Sequence, residues 1–359
     1  MSYPRMALKF NRIYEQARSS KHLIPADYAK DSFVLFSDQH RGDGSSADDF
    51  KDNADLYVKA LSHYQEKGFR LIVLGDSEEC WENNFDRILI RYEQVMRKEL
   101  DLAVTTPNGK KIRIWGNHDK ETSLRRFKKD CRKLGTALFD DVIYTEGLCL
   151  GPDIFLVHGH QGRFFEDIAW KVSRLAIKFI WKSLQKIFSI GKEGPAENIR
   201  LRDGLELNYY RWAKKKRVLL VCGHTHMALY ASLSHLDRLD KEIGELEKKK
   251  EIAEKIALKK AERERIIGRR KGIPRSFFEA PPQEPVPCYF NSGCCCYANG
   301  ITCLEIQKGS IRLVKWQRQT GAPVILVEES VEKILSAIRK MRPLGDEKGR
   351  AYDSLDSIS

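Results

Sequence analysis

The chain has no long apolar segment. Among its 359 residues no run of about 18 uninterrupted apolar residues occurs, so no membrane-spanning helix is predicted. The first residues, Met1–Arg5, lack the apolar core of a signal peptide. The nine cysteines form no paired framework, which in a cytosolic chain predicts reduced thiols. These absences predict a cytoplasmic protein with at most a peripheral contact with the inner face of a membrane.

Acidic residues are too few to balance the basic ones. The chain has 63 Lys and Arg against 50 Asp and Glu, a net charge of +13, and a pI near 9.2. This excess favours anionic partners, and nucleic acid, anionic lipid and phosphorylated small molecules all qualify. The sequence contains neither an aromatic-basic RNA-binding strand pattern nor a zinc-finger spacing, so it carries no nucleic-acid recognition signature. Charge alone does not choose among these partners.

Five short apolar runs each end in residues that can bind metal. Runs rich in β-branched and aromatic residues predict buried strands. In open α/β sheets, ligands collect at the carboxyl ends of the strands. We therefore expect the five clusters to converge on one metal site. The clusters are Asp38-Gln39-His40, Gly75-Asp76, Gly116-Asn117-His118-Asp119, His158-Gly159-His160 and Gly223-His224-Thr225-His226.

The number of ligand groups predicts two ions. Aspartate, histidine and asparagine side chains, with no cysteine among them, suit divalent ions such as manganese, iron or zinc, and we expect manganese. Seven such groups exceed the roughly three or four that a lone zinc ion takes from protein. Asp76, at the end of a central strand, is placed to bridge two ions. Two ions about 3.5–4 Å apart suit phosphoryl displacement.

In this order, the five motifs resemble those of the calcineurin-like metallophosphoesterases, over roughly residues 32–316. The resemblance implies a four-layer α/β/β/α sandwich with helical insertions. It also implies metal-dependent hydrolysis, in which His118, oriented by Asp119, protonates the leaving group or stabilises the transition state. One ion would be held by Asp38, His40, Asp76 and His226, and the other by Asp76, Asn117, His158 and His224.

Each motif has a structural alternative when it is taken alone. Asn117-His118-Asp119 can start a helix, since Asn and Asp are good N-caps. The family's fourth motif needs one histidine, and His158 directly follows the strand. His160 is therefore expected to line the cleft or to contact a ligand. Cys294-Cys296 are expected to be buried structural thiols, because adjacent strand residues point to opposite faces and cannot chelate one ion together.

The second motif suggests a subgroup. Residues 75–81, Gly-Asp-Ser-Glu-Glu-Cys-Trp, resemble the Gly-Asp-x-x-Glu-x-Trp of the UDP-2,3-diacylglucosamine pyrophosphatases. That resemblance implies a lipid-linked or nucleotide substrate and a helical lid between the fourth and fifth motifs. Two departures are visible. Those enzymes commonly have Arg in place of His118 and Asp in place of His160.

The predicted domain organisation has one core and two insertions. Residues 1–30 form an N-terminal helical extension, 31–342 the metallophosphoesterase domain and 343–359 a polar tail. The insertions are a helical lid over 161–216 and a charged helical arm with a Pro-rich linker over 232–286. Within the lid, residues 164–190 predict a basic amphipathic helix that could lie on an anionic membrane or pack on the domain. The arm predicts a solvated helix or helical hairpin, or else a partner-binding arm.

Three classes of function remain open from the sequence. The first is a dinuclear phosphohydrolase cleaving a phosphodiester or pyrophosphate, for which a lipid-linked or nucleotide compound is one candidate substrate. The second is a phosphomonoesterase or protein phosphatase that uses the same site. The third is a non-catalytic scaffold with a residual metal site. The complete ligand set argues against the third.

Overall fold

The computed structural model describes residues 3–19, 22–161, 199–233, 235–248, 256–261, 263–264 and 285–341. The predicted helix over 164–190, most of the Pro-rich linker and the polar tail lie outside these ranges. Among the helices that are described, none is long and apolar enough to cross a membrane.

Seven helices and twelve strands are labelled here in chain order. The helices are α1 (Tyr3–Ala17), α2 (Ala54–Glu66), α3 (Phe85–Leu102), α4 (Glu121–Lys133), α5 (Ile199–Lys216), α6 (His235–Lys248) and α7 (Val331–Arg339). The strands are β1 (Leu23–Ile24), β2 (Phe33–Phe36), β3 (Arg70–Val73), β4 (Lys111–Ile114), β5 (Val142–Thr145), β6 (Gly147–Leu150), β7 (Ile154–Val157), β8 (Leu219–Cys222), β9 (Tyr289–Asn291), β10 (Gly300–Gln307), β11 (Ser310–Gln317) and β12 (Ala322–Ser330).

The strands form two five-stranded sheets and one parallel pair. The first sheet has the order β1-β6-β7-β8-β9, and the second has the order β12-β11-β10-β2-β3. Strands β4 and β5 pair in parallel, and a bridge between Leu74 and Ile114 places this pair beside β3. Strands β2 and β3 are parallel, as are β7 and β8. Strands β2, β3, β4, β7 and β8 each lead directly into one of the five predicted motifs.

Both faces of β2 are covered, which explains its continuous apolar sequence. Phe33 and Leu35 belong to the core cluster shared by the two sheets and by α1 and α5. Val34 and Phe36, which point to the opposite face, pack in the cluster under α2, α3 and α4. Helices therefore cover the outer side of each sheet. The predicted α/β/β/α sandwich is confirmed.

The N-terminal segment is an integral part of the sandwich. Helix α1 places Met6, Phe10 and Ile13 in the core cluster of the first sheet. The short strand β1 pairs in parallel with β6 and forms one edge of that sheet. Helix α1 and strand β1 thus complete the first sheet and its helical layer.

Strand β12 is not among the five runs that predict strands. Pro323 within it removes a backbone donor, which obscures a strand pattern. Helix α7 follows β12 and begins after Ser330. The Ser330 hydroxyl caps this helix by accepting a hydrogen bond from the Lys333 N–H at 3.3 Å.

Candidate metal centre

The loops that carry the motifs hold unusual backbone conformations. Five of the seven predicted ligands have positive φ angles, between 51° and 67°, a region that non-glycine residues rarely occupy. Such conformations persist only where the surrounding structure enforces them, and they cluster at functional sites. The five residues are Asp38, His40, Asp76, His224 and His226.

Two motif glycines allow the loops to approach each other. A Cβ added at Gly116 would lie 2.0 Å from Asp76 Oδ1, and one added at Gly223 would lie 2.6 Å from Asp38 Oδ2. Neither distance is compatible with a side chain. Glycine at these positions therefore lets the third and fifth motif loops close on the two aspartates.

The first ligand group comprises Asp38, His40 and His226. Asp38 Oδ1 lies 3.3 Å from His226 Nε2, and the two Nε2 atoms of His40 and His226 are 3.1 Å apart. Two imidazole nitrogens so close together must share a proton or a cation. The group is therefore arranged as one half of a metal site.

The second ligand group comprises Asp76, His158 and His224. His158 Nε2 lies 3.0 Å from Asp76 Oδ2, while its Nδ1 lies 2.7 Å from the Leu74 carbonyl oxygen. A proton on Nδ1 satisfies that carbonyl and leaves Nε2 as the metal-binding nitrogen. Asp76 Oδ2 is also 3.9 Å from His40 Nε2, so this carboxylate links the two groups.

Buried polar atoms test whether these residues fit metal ions. Asn117 Oδ1 is buried and makes no hydrogen bond within the described part of the chain. Buried polar atoms are normally hydrogen-bonded, so an atom without a partner calls for an explanation such as an ion. Asn117 belongs to the predicted second group. The donor set therefore fits divalent ions.

Electrostatics supports the same assignment. Burial lowers the pKa of His158, but the Asp76 carboxylate outweighs it and raises that pKa to about 9. Burial likewise lowers the pKa of His226, and Asp38 outweighs it and raises that pKa to about 10. In the metal-free protein, protons on these rings balance the buried carboxylates. Metal binding requires neutral imidazoles and would therefore release those protons.

His118 lies beside both groups without belonging to a predicted ligand set. Its Nδ1 is 2.6 Å from Glu79 Oε2, and the same oxygen is 3.0 Å from His40 Nδ1. The Trp81 ring stacks on His118 with a centroid distance of 4.0 Å and an interplanar angle of 17°. The Trp81 indole N–H donates to the Asn117 carbonyl at 2.9 Å. The Glu79 carboxylate and the Trp81 indole thus fix the orientation of the His118 ring.

A family model for calcineurin-like phosphoesterases matches residues 32–228, which is more than half of the chain. The chain belongs to this family. No curated protein matches it. The matched range contains all seven predicted ligands together with His118. The protein is therefore a metal-dependent hydrolase acting on phosphoester bonds.

Asp119 has a different role in this phosphoesterase from the one predicted. Its carboxylate accepts hydrogen bonds from the backbone N–H groups of Gly116 at 2.6 Å, Ser77 at 2.8 Å and Asp76 at 3.2 Å. Burial, reinforced by the nearby Glu78 and Asp76, raises its pKa to about 6. This corrects the prediction that Asp119 orients His118. Asp119 holds the second and third motif loops together through their backbone N–H groups, and Glu79 contacts the His118 imidazole.

Glu79 was missed as a site residue, although the sequence contained a signal. It is the glutamate of the Gly-Asp-x-x-Glu-x-Trp pattern, three residues after Asp76. That pattern suggests a substrate class but does not by itself indicate which side chain the glutamate contacts. Burial raises the pKa of Glu79, but His118 outweighs it and holds that pKa at about 2.

Four buried charged side chains form an ion-pair network beside the loops that carry the first and second motifs. Arg41 Nη2 lies 2.6 Å from Glu78 Oε1, and Arg41 Nη1 lies 2.9 Å from Glu99 Oε1. Arg113 also contacts both glutamates, at 3.3 and 3.7 Å. Arg41 directly follows His40, and Glu78 lies two residues after Asp76. The network therefore connects the first motif loop, which supplies His40, with the second motif loop, which supplies Asp76.

The remaining predicted residues lie around the ligands. His160 is buried against Trp115, with ring centroids 5.0 Å apart, and burial and His158 hold its pKa well below the usual range. Cys294 and Cys295 are fully buried, and the Cys296 thiol lies 3.1 Å from the Asp38 carbonyl oxygen. All nine cysteines are unpaired. The Cys296 thiol thus packs against the backbone of the first motif, and the Cys294 thiol accepts a hydrogen bond from the Cys296 N–H at 3.5 Å.

Proposed function

We propose that this phosphoesterase uses two divalent ions to hydrolyse a phosphodiester or pyrophosphate bond. The observation that carries the proposal is the position of Asp76, whose Oδ2 lies within 3.9 Å of ligands from both groups. Oxygen and imidazole donors without a thiolate suit manganese, iron or zinc, with manganese as the first ion to test. The proposed ligands are Asp38, His40, Asp76 and His226 for one ion and Asp76, Asn117, His158 and His224 for the other.

The chain's own residues would supply proton transfer and positioning. When bound, a pair of such ions would stabilise charge on the phosphoryl oxygens and make a hydroxide nucleophile available at neutral pH. Glu79, beside Nδ1, stabilises the protonated form of His118. In that form Nε2 can donate a proton to the leaving oxygen. Stacking on Trp81 fixes the plane of the His118 ring, and Asp119 holds the second and third motif loops in place.

A lipid-linked or nucleotide pyrophosphate is the substrate class that we propose for this site. The motif over residues 75–81 supports this, because its glutamate and tryptophan both contact the candidate proton donor. An attraction to anionic membranes would come from the basic helix predicted over 164–190, which lies outside the described residues. The departures at His118 and His160 distinguish this chain from the pyrophosphatases that it resembles.

Turnover of matched substrates tests the proposal. The purified protein, loaded with manganese, should hydrolyse an aryl phosphodiester and a nucleotide-diphospho-lipid faster than an aryl phosphomonoester. A preference for the monoester would identify a phosphomonoesterase or protein phosphatase instead. Failure to turn over any of the three, with metal bound, would favour the scaffold.

A further inference from the structure

Strand β12 presents a long, exposed apolar edge. It is nine residues long, ends the second sheet and, among the described strands, pairs only with β11. Val324, Ile325 and Leu326 are 39%, 52% and 46% exposed. Within the described ranges they are the only three consecutive large apolar residues that are exposed. An edge of this kind is a template for pairing with another strand.

Other sheet edges are shorter or covered. At the opposite edge of the second sheet, β3 is bridged to β4. The first sheet ends in β1 and β9, which have two and three residues. Along β12, Pro323 removes one donor and a register shift opposite Leu313 and Val314 adds a bulge, two features that often protect an edge. They leave the apolar side chains exposed on both faces.

Opposite charges flank the apolar run. Before it, Arg318 is 43% exposed and lies 3.9 Å from the Asp52 carboxylate, and the Lys59 ammonium lies against Gly321. After it, Glu328 and Glu329 remain 39% and 36% exposed beside Arg312 and Lys333. A parallel copy of the strand would place like charges together. An antiparallel copy would place the acidic end of each strand beside the basic end of the other.

We propose that β12 pairs with β12 of a second copy of this chain, antiparallel about a two-fold axis near Ile325. Residues equally far from the axis then face each other, so Glu329 of one copy faces Gly321, and the adjacent Lys59, of the other. The two apolar runs cover each other, and the two second sheets become continuous. Such a contact is self-complementary and closes on itself. It does not depend on the proposed chemistry.

The mass of the full-length protein in solution gives the first test. Sedimentation velocity should show a species of twice the 41.5 kDa chain mass at low salt. Ile325→Lys should weaken dimerisation at least about tenfold, because it places a charge on the two-fold axis. Ile90→Lys is the matched control, since Ile90 is 69% exposed on α3, and it should leave the dimer intact. A monomeric wild type, or equal effects of the two variants, would overturn the proposal.

Charge reversal tests the antiparallel arrangement. The double variant Glu328→Lys/Glu329→Lys makes both ends of the strand basic, and Lys59→Glu/Arg318→Glu makes both ends acidic. Each variant alone should be monomeric, whereas an equimolar mixture should form a heterodimer that dissociates as salt is added. Circular dichroism and thermal melting establish that each variant is folded. A mixture of folded variants that stays monomeric, or variants that dimerise alone, would rule out this pairing.

Discussion

The metal loops and the charged arm use the same residue types in opposite ways. In the metal loops, the five segments that follow β2, β3, β4, β7 and β8, Asp38 and His158 are fully buried. In the described part of the charged arm, which is α6 and residues 256–261 and 263–264, Glu242 and Lys259 are 2.7 Å apart and 49% and 35% exposed. Ionisable residues thus indicate chemistry where burial removes the water that would otherwise solvate them.

Matched aspartate variants should give the largest contrast between the two regions. Asp76→Asn removes the charge shared by both ligand groups, so we expect kcat to fall at least about 10³-fold, since several kcal/mol of transition-state stabilisation is lost. Asp240→Asn in the arm, where Asp240 pairs with Arg263, should leave kcat unchanged. Elemental analysis should show metal loss only in the first variant. A fully active Asp76→Asn protein would contradict the metal assignment.

Removing His118 should separate chemistry from metal binding. His118→Ala should retain its metal content while kcat falls roughly 10²–10⁴-fold, the usual loss for a general acid. Aryl diesters with better leaving groups should be less affected, because they need less protonation. Metal loss in this variant would show that the imidazole is a ligand.

Substitutions of Glu79 and Asp119 should affect different properties, turnover in one case and metal affinity in the other. Glu79→Gln should lower kcat by about 10–100-fold and move the basic limb of the pH–rate profile to lower pH, because the Glu79 carboxylate raises the pKa of His118, which must be protonated to act as the acid. Asp119→Asn should lower metal affinity instead, since its carboxylate holds three loop N–H groups. Steady-state pH profiles and metal titrations distinguish the two. Identical profiles for both variants would contradict these separate roles.

The residues of the two candidate ligand groups could be brought together from the sequence because strand order and motif order coincide. Each motif directly follows a buried apolar run, so the carboxyl ends of the strands carry it to one edge. The partner of His118 could not be predicted in this way. Asp119 is adjacent in sequence, yet the backbone turns its carboxylate toward N–H groups, while Glu79 approaches from another loop.

The edge strand β12 and the N-terminal segment were harder to predict for a different reason. Pro323 and the exposed apolar run remove the alternation that identifies a half-buried strand. Strand β1 has only two residues, and its place in the first sheet depends on pairing with β6, more than a hundred residues away. Such long-range pairing leaves little local signal.

The pH dependence of stability should distinguish the metal-free from the metal-bound protein. The pKa of His158 is raised to about 9 in the metal-free fold, so its favourable contribution is complete below about pH 6.5 and is lost as the pH rises through 9. Metal binding needs the neutral ring and strengthens over the same range. The Tm difference between manganese-loaded and chelated protein should therefore grow from pH 6 to pH 9, as calorimetry can measure. A constant difference would contradict the assignment of His158.

The smallest effect should come from the arm. A double-mutant cycle on Glu242→Ala and Lys259→Ala should give a coupling free energy of about 0.2–1 kcal/mol, because exposed ion pairs are solvated and screened. Added salt should reduce it further. Neither variant should change kcat, and urea unfolding with an aryl diester assay measures both quantities. A coupling free energy well above that range, or a loss of activity, would show that the arm packs on the catalytic domain. The arm would then not differ from the metal loops in the way described above.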